Sequence, residues 1–392
     1  MTREVTMKSK RPHDGTAVLT RKDARDGVAA QRLIDERKRG EGEHCGMDGG
    51  GAIAFNAADY EANPSATPGA NVHFRNAITM ENNMTNHNLE RSERIRGGLY
   101  GLLVGDALGV PYEFHDATEI PDEHEIEMAP PRRFPRAHSG VPIGTWSDDG
   151  AQALCLLDSL NRDSSLNLAD FAGQLLAWYE TGHMTPDGKM FDVGIQTRRA
   201  LDALRRGADA TKSGPNGERD NGNGALMRCL PVVFAPKPLD AVIGMAMRQG
   251  IVTHAHIRSQ LSCALYAVAG AGILDGLPAM EAVGRAESEV HRRFGETEHG
   301  DEARLVLGAR AEPSRGSGYV VDSLWSAIDC LLTTNSYEAC VRRAVMLGND
   351  TDTTACIAGG LAGLLYGYEN IPERWREVLK GKELVENVLA KL

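Results

Sequence analysis

From about Ser92 onward, apolar residues return at intervals of three and four and small residues are dense. That periodicity predicts helices near residues 92–108, 149–161, 166–180, 194–206, 237–250, 256–274, 278–293, 319–332, 336–347 and 353–367. Several starts carry a stop or a cap: Asn167 precedes 168–180, Pro238 opens 238–250 and Ser336 caps 337–347. Alternation at period two is hard to find, so the pattern predicts an all-α domain whose loops carry the polar motifs. The small residues of Ala267-Val268-Ala269-Gly270-Ala271-Gly272 and Ala358-Gly359-Gly360-Leu361-Ala362-Gly363 suit close helix packing. No internal repeat of fixed period is present.

Residues 1–89 differ from the remainder. They are polar and charged, with a Gly-rich stretch at Asp48-Gly49-Gly50-Gly51 and an Asn-rich one at Glu81-Asn82-Asn83. Sparse apolar residues cannot bury enough surface for an independent core. A short helix from Arg21 to Arg39, with Val28, Leu33 and Ile34 as its stripe, and a weak segment from Ile53 to Tyr60 are expected. The division is therefore an N-terminal arm over 1–89, docked on the domain or on a partner, and a main domain over 90–392.

Composition narrows the class. Hydrophobic content of 42% and charged content of 25% are ordinary for a globular protein. No segment is expected to approach a transmembrane span, and no signal peptide is expected. A net charge of −11 argues against a general nucleic-acid binder, which needs a basic face. The 7 cysteines form no CxxC pair, and Cys155, Cys229, Cys263, Cys330 and Cys356 lie in apolar helical contexts. They read as reduced core thiols of a cytoplasmic protein.

The candidate chemistry lies in two acidic segments about two hundred residues apart, Ser147-Asp148-Asp149 and Asp350-Thr351-Asp352-Thr353. Each opens a helix. Capping accounts for a lone pair of acids at such a place. Two clusters of carboxylates and hydroxyls exceed what capping needs. Hard oxygen ligands suit Mg²⁺, Mn²⁺ or Ca²⁺ rather than zinc. If the fold joins the clusters, a shared metal site for one or two ions is the simplest purpose.

Other polar strings sit near them. In Gly105-Asp106-Ala107-Leu108-Gly109-Val110-Pro111-Tyr112-Glu113-Phe114, Pro111 ends a helix and Glu113 follows it. Asp106 reads as structural, bonding nearby backbone. Asn221-Gly222-Asn223-Gly224-Ala225-Leu226-Met227-Arg228 is a loop expected to lead into an apolar helix and to offer backbone N–H groups to phosphate. Ser317-Gly318-Tyr319 is a second small loop opening a helix. Asp192 precedes a helix, so capping competes with a substrate role. His254 stands at a helix boundary.

Taken in order, GDALGVPYEF, WSDDGAQ, FDVGIQTRRAL, NGNGALMR, THAH, SGYVVDSLWSAI and GNDTDTTACIAGGLAG resemble the ADP-ribosylglycohydrolase family over roughly residues 92–370. The resemblance implies a compact multi-helix domain with a binuclear Mg²⁺ or Mn²⁺ cleft. Ser147, Asp148 and Asp149 would ligate from one side, and Asp350, Asp352 and Thr353 from the other. Glu113 and Asp192 match acids beside the metals and the scissile bond, with Asp350 a third catalytic acid. Gly222, Asn223, Gly224, Met227, His254, Ser317, Gly318 and Tyr319 would hold the pyrophosphate and adenosine portions. Ser147 stands where Thr is usual, and Gly150 where the family often has a hydroxyl, a change expected to loosen the metal shell.

The implied activity is hydrolysis of an N-glycosidic bond, freeing ADP-ribose from arginine side chains of cytoplasmic protein substrates. Some members of the family resemble immunity proteins against an ADP-ribosyltransferase toxin, and an arm over 1–89 fits a plug that occludes such a toxin. A third reading is hydrolysis of another ADP-ribose ester, serine-linked or acetylated.

Overall fold

The computed structural model describes residues 89–392. The arm, its two weak segments and the occluding role attached to it lie outside the described residues. Among the described residues every regular element is a helix. Backbone pairs in the β manner only at two isolated bridges, Asp116 with Gly348 and Gly222 with Tyr319.

The helices are α1 (Arg91–Gly109), α2 (Asp148–Arg162), α3 (Leu168–Thr181), α4 (Ile195–Arg205), α5 (Leu239–Ile251), α6 (Ile257–Leu274), α7 (Ala279–Phe294), α8 (Gly300–Gly308), α9 (Val320–Thr333), α10 (Tyr337–Met346), α11 (Thr351–Tyr366), α12 (Glu373–Val378) and α13 (Lys382–Leu389). Asn167 caps α3 through the N–H groups of Ala169 and Asp170, and Ser336 caps α10 through that of Ala339.

The pairing of α1 with α11 places the site. Gly97, Gly101, Gly105 and Gly109 recur every fourth residue and so share one face of α1. They oppose Gly363, Gly359, Ala355 and Asp352 in reverse order, so the helices run antiparallel. A Cβ on any of the four would fall within 3.0 Å of the α11 backbone. This contact brings the C-terminus of α1, and Glu113 just beyond it, to the acidic N-terminus of α11.

α6 runs through the core. Its 18 residues have a mean hydropathy of 1.3, long and apolar enough to pass for a membrane span, and that stretch is 83% buried inside the protein. The expectation that no segment approaches that limit is thus corrected: a central core helix meets the same composition because all its sides face apolar neighbours. The six described cysteines are free and buried.

Two further expectations change. The Asn221–Arg228 loop leads into turns and a short 3₁₀ helix, Leu230–Val233, not an apolar α-helix. Pro231 has no N–H to donate there. Helices α8, α12 and α13, of 9, 6 and 8 residues, were not anticipated. They are too short for periodicity to register. Trp375 of α12 is held by packing against Tyr337 and by donating its indole N–H to Glu127.

Candidate functional site

The first acidic segment enters α2 through buried Trp146, whose indole donates to the Met184 carbonyl (3.1 Å). Ser147 is the N-cap and its hydroxyl accepts from Asp149 N–H (3.4 Å). Asp106 of α1 completes the capping from outside by accepting from the N–H groups of Ser147 (2.9 Å) and Gly150 (2.8 Å). Its role is structural, but the backbone it bonds lies on another helix rather than nearby in sequence, and it leaves Asp148 and Asp149 free for other work. Gly150 has no space for a hydroxyl side chain, since an added Cβ would meet Leu103 and Trp146 within 3.0 Å.

The second segment turns through Gly348 and Asn349, both with positive φ (69° and 59°). Asp350 is the N-cap of α11, yet its side chain makes no capping bond. Its Oδ2 accepts instead from Asn223 Nδ2 (2.9 Å). Thr351 donates to the Gly109 carbonyl (2.8 Å), and Asn349 exchanges backbone bonds with Phe114 and His115. Thr353 Oγ1 lies 3.4 Å from Asp149 Oδ2, which also accepts from Ser147 Oγ (3.1 Å). The two acidic segments therefore meet.

Glu113 is buried. Ligand atoms of Glu113, Asp350 and Asp352 lie within 4.8 Å of one another, and so do those of Glu113, His138 and Asp192. Asp148 and Asp149 belong to neither trio; Asp149 joins through Thr353. His138 Nε2 is 2.6 Å from Glu113 Oε2, its ring set between Phe114 and Phe191. No sequence signal pointed to His138, which comes from a long loop without periodicity. Asp192 holds a positive φ of 32° and accepts from its neighbour Val193 N–H. Gly194, not Asp192, is the N-cap of α4, so capping no longer competes for this carboxylate.

Crowding sets the electrostatics. Burial, then the charges of Asp192, Asp350, Asp148 and Asp149, push the Glu113 carboxyl well above its usual range. Burial likewise raises Asp148, Asp149 and Asp352, each further lifted by neighbouring acids. Asp106 rises to about 7 through burial, opposed by the N–H groups it accepts. Asp192 is raised by burial, with His138 acting the other way.

The ligand loops converge on the same place. Val320 N–H donates to the Asn221 carbonyl (3.0 Å), drawing Ser317-Gly318-Tyr319 against the glycine loop. A Cβ on Gly318 would sit 3.1 Å from Asp350 Oδ2. The His254 ring packs under Gly224, where a Cβ would approach within 2.7 Å. Burial, then Arg228, lowers the His254 pKa to about 3, so the ring is neutral. Some donors are already engaged. Gly222 N–H bonds Gln196 Oε1 (2.6 Å), Met227 N–H bonds the Asn223 carbonyl, and Met227 is buried in the core. Ser317 gives its N–H and hydroxyl to Asp322.

Such a cluster fits a hard divalent cation. Asp149 Oδ1 is buried and has no hydrogen-bond partner, and the ligand atoms that Glu113, Asp350 and Asp352 bring together are all oxygens. A model of the ADP-ribosylglycohydrolase family matches residues 87–392.

The chain belongs to the ADP-ribosylglycohydrolase family.

It is 29% identical over 311 residues to an ADP-ribosylarginine hydrolase of Serratia proteamaculans, covering 77% of this chain and 80% of that protein. Identity is 30% over 308 residues to a protein of the same name from Pseudomonas putida, covering 76% and 78%. The ADP-ribosyl-[dinitrogen reductase] glycohydrolase of Rhodospirillum rubrum is 29% identical over 304 residues, covering 74% and 91%. A solved structure described as an ADP-ribosylglycohydrolase-related protein complex superposes with a TM-score of 0.62 at 32% identity, covering 77% of this chain and 98% of that one. In this ADP-ribosylglycohydrolase the acids that open α2 and α11 meet beside the C-terminal end of α1.

Proposed function

We propose that the protein removes ADP-ribose from modified arginine side chains of protein substrates. The observation that carries this reading is the meeting of the two acidic segments, through Thr353 and Asp149, beside the Asn221–Gly224 and Ser317–Tyr319 loops. The named activities of the Serratia and Pseudomonas relatives support arginine as the linkage.

Ser147, Asp148 and Asp149 from α2, with Asp350, Asp352 and Thr353 from α11 and Glu113 beside them, are the residues to hold Mg²⁺ or Mn²⁺, with oxygens enough for two ions. When bound, such cations supply Lewis acidity toward ribose hydroxyls and a hydrolytic water. Glu113 takes up a proton readily, because burial and neighbouring carboxylates raise its pKa. The same carboxylates favour the positive charge that grows on the sugar as the glycosidic bond breaks. Asp192, half-buried beside Glu113, offers its carboxylate to a guanidinium leaving group.

The test is a metal-supplemented hydrolysis of proteins carrying arginine-linked or serine-linked ADP-ribose, with mass spectrometry of the freed side chain. Release from arginine and not from serine is expected. Release only from serine or from an acetylated form would replace the arginine reading with that of an O-linked ADP-ribose.

A further inference from the structure

Arg228 follows the glycine loop by one turn and has no exposed surface. Its five N–H donors are all used. Nε donates to Gln249 Oε1 (2.9 Å), Nη1 to Gln152 Oε1 (2.7 Å) and the Gly224 carbonyl (3.1 Å), and Nη2 to the Gln249 carbonyl (3.1 Å) and Thr253 Oγ1 (2.7 Å). None of these acceptors is a carboxylate. A fully buried cation without a contacting anion is costly, and evolution could replace it by an apolar residue unless its directions matter.

Two of those directions lead into the site. Gln152 is fully buried and stands one helical turn after Asp148 on α2. With Oε1 committed to Arg228, its amide is turned so that Nε2 donates to Asp148 Oδ2 (3.3 Å). The other path runs through Thr253, also fully buried. Its oxygen accepts from Arg228 and lies 2.9 Å from His254 Nδ1. If the hydroxyl accepted from both, its own proton would be buried without an acceptor. The satisfied arrangement has Thr253 donating to Nδ1, which leaves the proton of the neutral ring on Nε2, the nitrogen that faces Gly222.

We propose that Arg228 is the positioning residue of this site: through Gln152 it orients Asp148 for a divalent cation, and through Thr253 it fixes His254 as an Nε2–H donor to an oxygen of the bound nucleotide. The inference rests on the reading under Proposed function. It divides the guanidinium into a metal arm and a ligand arm that separate variants address.

The experiment is calorimetric titration of the full chain with Mn²⁺ alone, then with ADP-ribose at saturating Mn²⁺, for wild type, Gln152→Met, Thr253→Val and Arg228→Lys. Gln152→Met is expected to weaken Mn²⁺ binding about tenfold or more, with little change for ADP-ribose. Thr253→Val is expected to weaken ADP-ribose about fivefold with Mn²⁺ binding unchanged, and to shift the ¹⁵N signature of His254 away from the Nε2–H form. Arg228→Lys, with three donors in place of a planar fork, is expected to weaken both. Should Arg228→Lys fail to fold, the two single-arm variants still decide. Unchanged affinities in both, or equal losses of both ligands in each, overturn the inference and leave Arg228 a core residue. A wild-type protein that binds neither probe overturns the proposed function instead.

Discussion

Thr353 donates its hydroxyl to Asp149 Oδ2 across 3.4 Å, joining residues 204 positions apart in the chain. The bond spans the starts of α2 and α11 and closes the acid cluster from the α11 side. The other oxygen of Asp149 is left buried and unpartnered. The cation of the proposed function would balance these crowded carboxylates.

Asp148→Ala and Asp350→Ala are accordingly expected to lower ADP-ribose release by about 10²-fold or more. Far-UV circular dichroism should keep its helical form, because neither side chain caps its helix. Normal turnover in either variant would remove that residue from the site.

Asp352→Asn should stabilise the metal-free protein while abolishing its response to metal. Removing one buried carboxylate relieves its burial cost and the repulsion from Glu113, Asp149 and Asp350. Thermal melts in chelator and in excess Mn²⁺ measure both effects. A lower melting temperature in chelator contradicts the account.

The same crowding predicts a pH dependence. Carboxyls with raised folded-state pKa bind more protons folded than unfolded. Their contribution to metal-free stability is full below about pH 4 and is lost as pH climbs through the folded values, about 7 for Asp106. A metal must displace those protons. Stabilisation by Mn²⁺ should thus be small near the ordinary carboxylate range and grow through neutrality. Thermal shifts with and without Mn²⁺ across that range measure it; a shift independent of pH speaks against buried acids as the ligands.

Gly105→Ala should destabilise the fold by roughly 1–3 kcal/mol, because the added carbon meets the Ala355 backbone, which cannot move aside. Gly244→Ala in α5 has open space around its Cβ and should stabilise by about 0.4–1 kcal/mol. Urea unfolding of the pair compares them directly. Similar effects at both positions would mean that the α1–α11 contact is looser than described.

Asp192→Asn is expected to cut release from arginine-linked substrate about 10²-fold while leaving Mn²⁺ affinity near wild type. Release near the wild-type rate, or a matching loss of Mn²⁺ affinity, would take Asp192 off the guanidinium.

Much of this was legible along the chain. Helical spacing from Ser92 onward announced an all-α domain, and the caps at Asn167 and Ser336 stand where expected. Ser147-Asp148-Asp149 and Asp350-Thr351-Asp352-Thr353 declared themselves because each packs its chemistry into a few consecutive residues. The short helices α8, α12 and α13 did not, since a stripe of two or three buried residues has no visible period.

What local spacing determined is which segments coil and which gather carboxylates and hydroxyls, because capping and the 3.6-residue repeat act over a few residues. Only the tertiary structure decided that Asp106 caps a helix other than its own, that His138 lies against Glu113, and that the five bonds of Arg228 reach Gln152 and Thr253. Those partners are tens of residues away. Their geometry is set by how whole elements pack, which depends on the facing surfaces together and is written in no single segment.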